Sequence, residues 1–231
     1  MNHANWWAGR FWWISVAALL VTFVLLYMFW WQVADGPWSP PNEPRYAQMM
    51  EVAPIIGGII ALYGILPKFD WIDQQSPKPI RIYDTAAALI VIVVFALLTT
   101  LVRWLWSLSD FYTRFLPMDM VIKNPAMLDE AVPYAAVFAF SANVAAVLGL
   151  ACLTTALIGR TLGPASGIVW FALLLIAQGH LKLQLLVVPG YGIPTLETGD
   201  TFLVGAILAV SLIAYYLTAA GTRPLIHRLI P

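Results

Sequence analysis

From Phe11 to Val33 the chain runs for 23 residues without a charged side chain. A run of about 20 apolar residues is what an α-helix needs to cross about 30 Å of hydrocarbon. In that medium only a helix or a closed barrel satisfies its own backbone hydrogen bonds. Comparable apolar runs recur along the chain, which is 61% hydrophobic and 10% charged, against about 45–50% and about 25% in soluble domains. These runs predict an all-α polytopic membrane protein with six transmembrane helices in one membrane domain.

The six predicted spans are residues 11–33, 51–66, 85–106, 131–158, 165–188 and 201–220. Tryptophans crowd both ends of the first, Trp6, Trp7, Trp12 and Trp13 at one and Trp30 and Trp31 at the other, as expected of interfacial belts. Pro37, Pro40, Pro41 and Pro44 exclude a regular helix from the connection that follows. Pro54, Gly57, Gly58 and Gly64 interrupt the short second span, so a break near Gly57–Gly58 is expected. Residues 107–130 form a long acidic connector, whose segment 110–122 has an amphipathic pattern suited to a membrane surface. A tight turn, GRTLGP, joins spans four and five. The N-terminal stretch lacks an A-x-A-like cleavage site, so the first span is expected to be retained.

An even number of spans puts both termini on one side. That side carries seven basic residues, Arg10, Lys68, Lys78, Arg81, Arg160, Arg223 and Arg228, against three acidic ones. The other side carries five basic residues against nine acidic ones. The positive-inside rule therefore assigns both termini and the 67–84 loop to the cytosol.

Few residues offer chemistry. There is no phosphate-binding G-x-x-x-x-G-K-[ST] motif, so nucleotide-driven work requires a separate subunit. A net charge of zero gives no support to a nucleic-acid partner. His3 and His227 lie in the tails, leaving His180 as the one intramembrane histidine. A bis-histidine haem site is thereby excluded, and no helix has metal-ligand spacing. No cofactor and no catalytic residue are expected. The lone Cys152 reads as a packing residue.

Intramembrane polar side chains are costly and are functional candidates by default. Gln178, His180, Lys182 and Gln184 alternate with apolar residues at the end of span five. Gln178 and Lys182 share a helix face. They could face a transport path or a lipid headgroup, or Lys182 could simply snorkel to the interface. Ser141 and Asn143 lie deeper, and Asn143 reads first as interhelical glue. Glu51 and Arg103, near the outer ends of spans two and three, could pair. Gly57, Gly58, Gly149 and Gly205 read as close-packing sites.

The densest charge in the chain lies in Lys68–Asp84, KFDWIDQQSPKPIRIYD. Trp71, Ile72, Ile80, Ile82 and Tyr83 are more than a solvated loop needs. They suit an amphipathic segment in a partner's groove, or an interfacial linker anchored by Trp71 and Tyr83.

The layout of six spans, cytosolic ends and one larger cytosolic loop resembles the permease subunits of ATP-binding-cassette exporters. The stretches most similar to small actinobacterial permease-like proteins are SANVAAVLGLACLTTALIGRTLGPASGIVWFALLL, from Ser141 to Leu175, and APIIGGIIALYGILPKFDWIDQQSPKPIRIYDTAAAL, from Ala53 to Leu89. The resemblance implies a homodimer in a bacterial cytoplasmic membrane, with a separate ATPase docking on Asp70, Trp71, Asp73, Lys78 and Arg81. The charged amphipathic helix that usually precedes span one is replaced here by a Trp-rich stretch, and the connector after span three is unusually long. These departures keep open an accessory subunit of a larger membrane complex, such as an oxidoreductase. A third reading, a lipid-modifying enzyme, would use His180 and Lys182.

Overall fold

The computed structural model describes residues 10–30, 33–34, 47–66, 78–108, 134–179 and 198–218. Among the described residues six helices follow one another: α1 Trp12–Phe29, α2 Met49–Ile65, α3 Lys78–Ser107, α4 Tyr134–Ile158, α5 Ser166–Gly179 and α6 Thr198–Leu217. Between α1 and α2 a short antiparallel pair joins β1 (Val33–Ala34) to β2 (Ala47–Gln48), with Val33 opposite Gln48. α1, α4 and the segments Arg81–Ser107 and Asp200–Leu217 are long and apolar enough to cross a membrane. α2 and α5 are apolar but shorter. The chain is an integral membrane protein.

α4 occupies the middle of the bundle. Buried side chains make up 72% of its apolar window, against 17% for α1 and 22% for α6. It packs against α2, α3, α5 and α6, while α1 lies mainly on α2. Its buried positions are mostly small, including Ala139, Ala145, Ala146, Ala151 and Cys152. Small residues let helix backbones approach where lipid removes the hydrophobic drive for association.

Two element boundaries differ from expectation. The first helix stops at Phe29 rather than Val33, because Val33–Ala34 turns back to pair with Ala47–Gln48. That pairing satisfies backbone groups which the prolines between the strands could not accommodate in a helix. The third helix begins at Lys78 rather than Thr85. Pro79 is its second residue, and proline suits a first turn, where its missing N–H has no intrahelical partner anyway. Part of the charged stretch is thus the start of a 30-residue helix about 45 Å long.

The second helix does not break. α2 continues through Pro54 and Gly57–Gly58, because its neighbours fill the space that side chains would take. A Cβ on Gly57 would lie 2.0 Å from Thr22 Oγ1 and 2.7 Å from Phe95 Cε1. On Gly58 it would lie 2.5 Å from Leu148 Cδ1, and on Gly64, 2.3 Å from Ser15 Oγ. The glycines therefore seat α1, α3 and α4 against one helix. Gly149 lies 3.1 Å by the same measure from Leu208. Gly205 departs from the expected pattern, with nothing within 4 Å, because it sits on the outward face of α6.

The expected turn between α4 and α5 is present. Gly159 adopts φ 101°, the left-handed conformation that ends helices at low cost only for glycine. Its N–H donates to Thr155 O, and Gly163 N–H donates to Gly159 O. The Tyr63 hydroxyl donates to Thr161 O at 2.7 Å and fastens the end of α2 to this turn.

Two outcomes follow. Gly57→Val should lower unfolding free energy by about 1–3 kcal/mol through overpacking, while Gly205→Ala should change it by less than about 0.5 kcal/mol; unfolding in mixed micelles measures both. Cys152, 1% exposed, should react with a maleimide only after denaturation, and rapid labelling of the folded protein would contradict this packing.

Candidate functional site: a buried polar layer joining three helices

Glu51 lies in the first turn of α2, where the helix dipole favours a carboxylate. It is fully buried, as are Asn143 on α4 and Arg103 on α3. Asn143 Nδ2 donates to Glu51 Oε1 at 2.6 Å. Asn143 is nine residues into α4, about 14 Å along its axis, so the bond ties the start of α2 to the interior of its neighbour. Asn143 Oδ1 is a buried acceptor with no hydrogen-bond partner among the described residues.

Two residues earlier on α4, the Ser141 hydroxyl shares hydrogen bonds with Thr99 Oγ1 at 3.0 Å and Thr100 Oγ1 at 3.4 Å. Arg103 is one turn further along α3, with its guanidinium carbon 4.7 Å from the centre of the Tyr134 ring, a cation–π geometry. Advancing along α3 from Thr99 to Arg103 moves back along α4 from Ser141 to Tyr134, so the two helices run antiparallel. Trp106, 1% exposed, closes this end of the bundle. Its ring centre is 4.5 Å from that of Trp30 and 6.5 Å from that of Tyr27.

The opposite end holds a second polar contact. Arg10 Nη2 donates to Asp84 Oδ1 at 2.5 Å, with side chains 2% and 3% exposed. This pair joins Arg10, two residues before α1, to the second turn of α3. Sequence reasoning put Arg10 and Asp84 on the same side of the membrane but did not pair them across 74 positions. Opposite charges on one side, each beside an apolar run, were the available signal.

The sequence-derived candidates separate in space. Asn143 forms the expected interhelical bond, and its partner is Glu51. Gln178 is buried near the end of α5. His180 and Lys182 lie outside the described residues, as do Asp70, Trp71 and Asp73. Lys78 opens α3, and Arg81 is half-buried in its first turn. Among the described residues, no three His, Cys, Asp or Glu side chains converge as metal ligands would. The layer's chemistry is that of exchangeable hydrogen bonds: a carboxylate, an amide with a spare acceptor, three hydroxyls and a guanidinium, all buried except the half-buried Thr100.

Compared with models of known families, with characterised proteins and with solved structures, the chain matches none.

A double-mutant cycle with Glu51→Ala and Asn143→Ala should give a coupling energy of about 0.6–1.7 kcal/mol, the range of interhelical hydrogen bonds in a bilayer. At the other end, Arg10→Met or Asp84→Leu alone should cost about 3–5 kcal/mol, because each leaves a buried charge without its counter-ion. The double variant should cost less than either single one, as unfolding in mixed micelles would show.

Proposed function

We propose that this chain is the membrane-embedded permease subunit of a multi-subunit transporter, energised by a separate ATPase that docks on the 68–84 loop. In this reading all six helices cross the membrane, including the shorter α2 and α5. Both termini and the loop face the cytosol, two copies associate, and the membrane is the bacterial cytoplasmic membrane. The balance of basic residues supports that orientation.

The observation that carries the reading is the continuity of α3. One unbroken helix runs from Lys78 and Arg81, beside the docking loop, to Arg103 in the buried polar layer. A push on the loop would therefore travel as a rigid-body displacement over the 22 residues from Arg81 to Arg103, about 33 Å. The Arg10–Asp84 pair would carry the start of α1 with it. At the far end, the Thr99–Ser141 and Arg103–Tyr134 contacts would slide against α4. Hydroxyl and amide side chains suit this role because they can exchange partners when helices shift. Two packed arrangements of such a layer would constitute the inward and outward states. Asp70, Trp71, Asp73, Lys78 and Arg81 are the proposed ATPase contacts.

Affinity purification of the full chain in mild detergent tests the reading. An ATPase should co-purify, and the Asp73→Lys, Arg81→Glu double variant should release it while the chain stays folded. Co-purification with haem- or metal-bearing subunits and no ATPase would overturn the permease reading in favour of an accessory subunit. Undiminished ATPase binding by the charge-reversed variant would remove the loop as the dock.

A further inference from the structure

We draw no further inference here: the strongest candidate, the exposed face of α6 on which Gly205 and Ala209 lie between Phe202 and Ile213, is an unpartnered apolar face, and nothing in the structure shows what covers it.

Discussion

The hydrogen bond from Asn143 to Glu51 joins two fully buried polar groups. A carboxylate and an amide at that depth must be answered by neighbouring helices. Short side chains can reach one another only where backbones are close. The glycines of α2 and the alanines of α4 provide that closeness: Thr22, Phe95 and Leu148 occupy the space where α2 would otherwise carry Cβ atoms. The polar layer and the tight packing are thus one arrangement, in which small residues set the distance and polar residues set the register. Ser141 against Thr99 and Thr100, and Tyr134 against Arg103, repeat the pattern between α3 and α4.

α3 connects the two ends of the bundle. Its start is held by the Arg10–Asp84 pair and its far end by Tyr134, Trp30 and Tyr27 around Arg103 and Trp106. α1 and α6 lie outside this frame, with few of their residues buried. α1 is attached chiefly through α2.

Much of the fold was legible in the residues because hydrocarbon imposes a length and a composition on anything that crosses it. The uncharged runs located the helices, and Gly159 with Gly163 and Pro164 located the turn after α4. The end of α1, the start of α3 and the continuity of α2 were not legible. Each depended on what lies beside the segment: β2 beside Val33, the helical first turn around Pro79, and three neighbouring helices pressed onto Gly57, Gly58 and Gly64. Read locally, glycines and proline predict a break. Packed against α1, α3 and α4, the same residues sit in one continuous, closely approached helix.

The candidate site divides in the same way. Apolar context alone marked Asn143, Gln178, Glu51 and Arg103 as costly residues needing partners. Composition and the length of the apolar runs established a helical integral membrane protein, because those properties follow from the solvent rather than from contacts. Which buried groups meet was decided only by the tertiary structure, which set Asn143 on Glu51, Arg103 over Tyr134 and Arg10 on Asp84. Those choices depend on helix rotation and depth to within a few ångströms, and a one-dimensional pattern of apolar and polar residues does not encode them.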